Sequence, residues 1–459
     1  MGTEAGTIRR CFEAMTLRRA ASRTVVRLAY PVALGMLSYT LLNVVDTAML
    51  GRLGPTPLAA AGVAGVLFFA LSFPLSGISV GVQALVARRY GEEQREACGE
   101  VLETGLTLAV SIGVPMALLA SWLAAVAAPI LSSDPAVAAL GRQYLRLRLF
   151  GTAFMLGNTA LRGFFAGIGH TRQQLYAALL VTAVNVLLDT LLIFGYAGFP
   201  AMGIEGAALA STIALGCGTV YLVATTLKRR YRVEFGIYRR LRPSLRHARP
   251  VVRLSLPVIG QRLVSNGSWF AFFTVVARIG TLELAATNVM RSIYNLSVMP
   301  AFGVATAAAT LVGQRLGSGE PQDAERLAWE AAKLSAYLMA AVGIVFLAFP
   351  RAVFLVYTAD PAVIAVGALP LRLLGPVQAL AAVAIVLSSS LQGAGCTRFV
   401  MLAELGVCFG LYLPVVFFLG LHTPLRLIGA WTGEYVYWTA LALLMSTAFR
   451  RGSWQRMKI

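Results

Sequence analysis

Twelve apolar segments, each long enough to cross a lipid bilayer, follow one another along this chain. They cover roughly 25–50, 57–86, 98–131, 136–168, 173–196, 204–227, 251–278, 283–313, 322–356, 362–395, 397–421 and 425–448. A membrane-crossing helix needs about 20 predominantly apolar residues. Inside hydrocarbon every backbone N–H and C=O has to be satisfied by the protein, so only helices and closed barrels span. Barrel strands are shorter and alternate in polarity; these runs do neither. Charged residues make up only 13% of the chain, against about 25% in a soluble domain. The expected chain is an all-α polytopic membrane protein.

The segments repeat. Arg27-Leu28-Ala29-Tyr30-Pro31 returns as Arg253-Leu254-Ser255-Leu256-Pro257, 226 residues later. At the same offset Pro74 and Gly77 return as Pro300 and Gly303, and Asp134-Pro135-Ala136-Val137 as Asp360-Pro361-Ala362-Val363. Gly167 to Arg172 returns as Gly393 to Arg398. Each copy holds six segments, an even number, so both copies enter the membrane from the same side. The expected fold has twelve transmembrane helices in two six-helix bundles related by a parallel internal repeat. The expected domains are an arm (1–24), a first bundle (25–227), a basic linker (228–250), a second bundle (251–448) and a tail (449–459). The end of the arm, Thr16 to Ala21, reads as a short basic interfacial helix.

The net charge of +19 raises nucleic-acid binding, and its distribution argues against it. Arg18, Arg19, Arg88, Arg89, Arg172, the run from Lys228 to Arg249, Arg398, Arg450 and Lys458 all fall at ends on one side, while the other side holds little beyond Arg52, Arg278 and Arg426. That asymmetry is the positive-inside pattern and puts both termini in the cytoplasm. The linker then lies against anionic lipid. No cleavable signal peptide is expected, since residues 1–24 are polar and arginine-rich. Five cysteines without CxxC spacing and three histidines without HExxH give no disulfide framework, zinc or haem. No GxxxxGK[ST] pattern occurs, so ATP does not drive this chain alone. No cofactor is expected beyond a coupling ion.

Against this apolar background, Asp46 and Asp189 are costly. An acid at the centre of a membrane helix costs about 3 kcal/mol or more and marks function. Asn185 and Asp189 are four apart and share a helix face. Asp46, Asn185 and Asp189 are expected to meet inside a bundle and bind a coupling cation. Two bare carboxylates side by side in low dielectric repel, so such a pair suits one shared proton. Its oxygens also suit a hard cation, so Asp46, Asn185 and Asp189 stand equally as a sodium site. Arg162, Arg262 and Arg291 also lie in apolar segments, where a snorkelling or paired guanidinium is expected. Asn43, Asn158, Trp269, Phe273, Glu404 and Glu434 are candidate lining for a substrate cavity, the aromatic rings offering faces to flat organic cations.

Taken together, Asp46 to Gly54 (DTAMLGRLG), Gly203 to Ala208 (GIEGAA), Leu311 to Gly317 (LVGQRLG) and Leu391 to Gly395 (LQGAG) resemble the multidrug and toxic compound extrusion (MATE) family. The resemblance covers nearly the whole chain after residue 25. It implies a secondary active antiporter that exports organic, often cationic, compounds in exchange for protons or sodium ions by alternating access. Among prokaryotic branches the chain looks most like the DinF-like one, which keeps an acid in the first helix and Asn and Asp in the fifth; Asp46, Asn185 and Asp189 match. Its sixth-helix hydroxyl is matched by Ser211, with Thr212 beside it. The acid that another branch places in the seventh helix is absent from Ser265-Asn266-Gly267-Ser268-Trp269, and His170 and Cys396 replace the usual acid of the two repeat-end loops. The resemblance implies a multi-pass monomer in the cytoplasmic (inner) membrane, with a small organic substrate, a coupling cation and membrane lipid as partners, and no nucleic acid. Two rival readings are a flippase for lipids or lipid-linked precursors of the same superfamily and a membrane-embedded enzyme with paired aspartates. The first asks for a more cationic cavity; the second leaves the repeat unexplained.

Overall fold

The computed structural model describes residues 19–239, 245–457 and 459. Its helices are α1 (Arg19–Gly51), α2 (Pro55–Ser72), α3 (Ile78–Gly91), α4 (Arg95–Leu118), α5 (Ala120–Leu131), α6 (Pro135–Phe150), α7 (Thr152–Gly167), α8 (Arg172–Phe194), α9 (Gly203–Leu227), α10 (Arg229–Glu234), α11 (Leu245–Ile279), α12 (Thr281–Gly317), α13 (Pro321–Ala348), α14 (Pro350–Leu355), α15 (Pro361–Gly393), α16 (Thr397–Val407), α17 (Leu413–Leu421) and α18 (Arg426–Arg450). No strand occurs among the described residues. Each of the twelve expected segments is helical, some as a single helix and others as two helices in succession. Pro74 starts a short 3-10 stretch between α2 and α3, because proline brings no N–H to the helical ladder. A single π-turn, Cys408–Tyr412, joins α16 to α17.

Among the described residues nine runs are long and apolar enough to cross a membrane. Leu118, Ile344, Leu402, Phe418 and Leu443 stand 61% to 77% exposed. So much exposed aliphatic surface is a liability in water and matches lipid tails, which are as apolar as leucine. Inside, with no hydrophobic force to drive helices together, small residues let backbones touch. A methyl on Gly343 of α13 would overlap the carbonyl oxygen of Gly375 on α15, and one on Gly375 would overlap that of Gly343.

The 226-residue offset holds in the contacts. Gly77 abuts Ser255 and Ile259; Gly303 abuts Ala29 and Ala33. Asp134 caps α6 by accepting from Ala136 N–H at 2.8 Å, and Asp360 caps α15 by accepting from Ala362 N–H at 2.9 Å. In each case a hydroxyl two residues earlier, Ser132 or Thr358, accepts from the aspartate N–H.

Two compact units result. One holds residues 34–267, 395–401 and 459; the other holds 19–33, 268–394 and 402–457. Their borders fall inside α1, after Ala33, and inside α11, after Gly267. Division by compactness is therefore not division by repeat.

Residues 19–24, assigned to the arm from the sequence, are the first turns of α1, so Arg19 to Ala21 belong to that long helix rather than to a separate interfacial one. A continuous helix leaves no chain break at which an interfacial segment could turn. The rest of the arm, residues 240–244 of the linker and Lys458 of the tail lie outside the described residues. Within the linker, α10 packs Tyr231 edge-on to Phe165 at 5.6 Å, and Phe235, just beyond it, packs edge-on to Phe164 at 5.4 Å.

Candidate functional site

Three helices each carry a row of aliphatic side chains interrupted by polar ones. On α1 the row is Leu42, Asp46, Leu50; on α8 it is Val181, Asn185, Asp189, Ile193; on α9 it is Ala207, Ser211, Ala214. Steps of three and four keep each row on one face. The aliphatic members gather at two levels: Leu42, Val181 and Ala214 form one cluster, while Leu50, Ile193 and Ala207 belong to another. Asp46, Asn185, Asp189 and Ser211 come together between them.

Asn185 and Asp189 are wholly buried and Asp46 is half-buried. The Asn185 amide has one orientation that satisfies both its ends, assigned from the surrounding hydrogen bonds. In it the nitrogen donates to Asp46 Oδ1 at 2.9 Å and to Asp189 Oδ2 at 3.2 Å, and the oxygen accepts from the Ser211 N–H at 3.1 Å. The one amide nitrogen thus holds the two carboxyl groups beside each other. Asp189 Oδ1 is buried, and among the described residues no donor reaches it.

Two further side chains belong to this surrounding, and sequence reading missed both. Tyr144 and Arg148, four apart on α6, lie within electrostatic reach of Asp46 and Asp189. The Arg148 guanidinium lies over the Phe68 ring at 4.5 Å. The i, i+4 spacing was the available signal, but Arg142 and Arg146 beside it make the stretch read as an ordinary charged helix face.

The remaining candidates are not brought to this place. Asn43 is exposed on α1. Asn158 is 4% exposed on α7 beside Gly218, its amide nitrogen without a partner. Trp269 and Phe273 pack on the second unit's core, and the Arg291 guanidinium lies over both rings, at 5.6 and 5.2 Å. Glu404 and Glu434 are buried in that same unit. Arg262 donates to Ser76 Oγ and lies over Phe73 at 4.9 Å; Arg162 lies over Tyr39 at 5.7 Å. Among the described residues no group of three or more His, Cys, Asp or Glu is arranged to hold a metal ion.

The chain is similar to known proteins in both sequence and fold. A family model described as MatE matches residues 31–191 and again 257–418, two copies that begin 226 residues apart. A probable multidrug resistance protein NorM of Thermotoga maritima is 25% identical over 441 residues, spanning 95% of this chain and 94% of its own. Its Burkholderia mallei counterpart is 30% identical over 462 residues, with the same coverage of each chain. A solved structure, the outward-facing conformation of a multidrug resistance MATE family transporter of the MOP superfamily, superposes with a TM-score of 0.88 at 22% identity, covering 97% of this chain and 98% of that one. That likeness carries the fold, an all-helical architecture of twelve transmembrane helices.

Proposed function

The chain belongs to the MatE family of membrane transporters, which are not enzymes, and from that premise we propose that it exports organic compounds, cationic drugs or toxic metabolites among them, in exchange for protons. The observation that carries the coupling ion is the Asn185 amide. Its nitrogen faces both carboxyl groups and its oxygen is engaged by Ser211. A sodium ion between Asp46 and Asp189 would meet an N–H donor there instead of an oxygen ligand; a shared proton fits as the side chains stand.

The exchange then runs by occupancy of the pair. With the proton in place the two acids are joined and carry one charge. When water reaches Asp46, its proton leaves, and two like charges in low dielectric repel. That repulsion separates α1 from α8 at Asp46 and Asp189, biasing the chain toward the alternative arrangement that alternating access requires. Asn185 holds the geometry through both states by donating to either carboxylate, and Ser211 fixes the amide. Arg148 softens the second charge from a distance.

We place the chain in the DinF-like branch, because Asp46, Asn185 and Asp189 are present and Ser265 to Trp269 carries no acid. The charge asymmetry supports a multi-pass chain with both termini in the cytoplasm, and we place it as a monomer in the cytoplasmic membrane. Relatives named for multidrug resistance support the substrate class. The test is export from reconstituted vesicles under an imposed proton or sodium gradient. Proton-driven export that is lost in Asp46→Asn supports the reading. Export driven by sodium alone at fixed pH overturns the proton, and normal proton-driven export by Asp46→Asn overturns the site.

A further inference from the structure

The C-terminal repeat carries a buried polar site of its own, at the place equivalent to the one just described. Equivalence is fixed by contacts. A methyl on Gly206 would press on the carbonyl of Leu192, and one on Gly429 on the carbonyl of Leu419. Leu192 and Leu419 are 227 apart, one more than the general offset. The π-turn Cys408–Tyr412 supplies the extra residue, as single-residue insertions in helices do. Gly206 and Gly429 are 223 apart, because the connection before α18 is four residues shorter than the one before α9. Carried through these shifts, Asp46 corresponds to Phe272, Asn185 to Tyr412 and Ser211 to Glu434. Both Ser211 and Glu434 are the ninth residue of a 25-residue helix.

Glu434 is 4% exposed. Trp438 Nε1 donates to its Oε2 at 3.1 Å. The Tyr412 hydroxyl stands within hydrogen-bond reach of the carboxyl, and the Tyr294 hydroxyl lies within its electrostatic reach. Both tyrosines are more than nine-tenths buried. The other titratable groups that face this cluster are Glu404 and Cys408 on the π-turn rod and Tyr435 and Tyr437 on α18. Tyr435 is already bonded to the Pro370 carbonyl at 2.8 Å. No guanidinium is paired with Glu434 among the described residues: Arg372 of α15 donates to the Leu347 carbonyl, and Arg291 of α12 lies over Trp269 and Phe273. Phe272 stacks on Tyr412 at 6.3 Å and seals the side where Asp46 stands in the first repeat.

We infer that Glu434 is a second proton-binding carboxyl, built into the C-terminal repeat at the position that Ser211 holds in the first. A bare carboxylate so enclosed, with no guanidinium paired with it among the described residues, is strongly disfavoured. The Tyr412 and Tyr294 hydroxyls are donors that can strengthen their hold on the carboxylate when that proton leaves. The inference deepens the proton-antiport reading and rests on it for its role in transport, while proton binding itself can be read without transport.

The experiment is infrared difference spectroscopy of the full chain in lipid nanodiscs, following the carbonyl stretch of protonated carboxyl groups over about pH 4 to 10. Asp46→Asn/Asp189→Asn should retain a titrating buried-acid band that is lost when Glu434→Gln is added and kept when Glu404→Gln is added instead. Tyr412→Phe should move the midpoint of that band and leave the acid pair's own signal in place. If Glu434→Gln does not give a folded chain, Glu434→Asp must alter the frequency and midpoint of the same band. A spectrum unchanged by either Glu434 substitution overturns the inference. So does a Glu434 band that responds to added sodium at fixed pH, which would make the site one for a metal cation. Gradient-driven export by Asp46→Asn is measured separately, so failure of the coupling reading and failure of this one are distinguishable.

Discussion

The two repeats share a skeleton and differ in what they bury. In the first, polar groups on α1, α8 and α9 meet as two acids and an amide. In the second, the equivalent positions hold Phe272, Tyr412 and Glu434, within a cluster of Trp269, Trp431 and Tyr437. Backbone contacts and helix caps were kept through the duplication, because they decide whether six helices pack at all. Side chains in the middle of the bundle were free to diverge, because many fillings satisfy the same envelope. One repeat therefore holds a carboxyl pair that can share its proton, and the other a lone acid ringed by phenols.

The largest expected effect breaks this comparison at its polar end. Asp46→Asn and Asp189→Asn should each abolish gradient-driven export while leaving the chain folded, and the double variant should be little worse than either, since the two acids act as a unit. Vesicle transport with monodispersity as control measures it. Independent, additive losses would mean that the carboxyls do not share a proton.

The next effect tests the common skeleton. Gly77→Leu and Gly303→Leu should lower thermal stability by similar amounts, about 1–3 kcal/mol each, as overpacked sites do. Unequal losses would show that only one repeat relies on this approach. Asp134→Ala and Asp360→Ala should each cost about 1 kcal/mol as lost helix caps, again in equal measure by thermal unfolding.

How much of this was legible in the chain follows from the same contrast. Asp46, Asn185 and Asp189 stand out because an acid in an aliphatic row has no packing reason to be there, and the i, i+4 step puts two of them on one face. The constant offset was legible because it is carried by prolines, glycines and caps that the backbone needs. Tyr144 and Arg148 were not, since Arg142 and Arg146 on the same helix make the stretch read as an ordinary charged face. Nor was the equivalence of Ser211 and Glu434. A π-turn adds one residue and a short connection removes four, so a single offset of 226 aligns Ser211 with Tyr437 and hides the acid. Register shifts of this kind become visible only once carbonyl contacts are known.

The smallest expected effects lie in the two repeat-end loops. His170 accepts or donates through Nδ1 to the Tyr231 hydroxyl at 3.0 Å. Burial, and then the Arg230 guanidinium, hold its imidazole below the usual range. The unfolded chain thus takes up that proton at higher pH than the fold does. Stability should be full above about pH 6.5 and decline as pH falls below it toward the folded value. His170→Cys, which makes the first loop like the second, should flatten that acid-side decline in thermal unfolding. Its counterpart Cys396 is buried, which pushes its thiol up to about 11. It should stay unmodified by thiol reagents at neutral pH, since only the thiolate reacts; mass spectrometry after alkylation reads this directly.

The exchange of helix beginnings also bears on how such a chain came to be made. Residues 19–33 complete the unit built mostly from the second repeat, through Ala29 and Ala33 against Gly303, and the start of α11 completes the other through Ser255 and Ile259 against Gly77. That is the arrangement a half-length ancestor would have as a domain-swapped dimer, each subunit lending its leading segment to its twin. Fusion of two genes would have preserved it and removed the need for partners to find each other. It also sets an order on biosynthesis. The unit rich in the first repeat gathers most of its parts once α11 has been made, whereas the leading segment of the nascent chain must wait in the bilayer for helices translated a full repeat later.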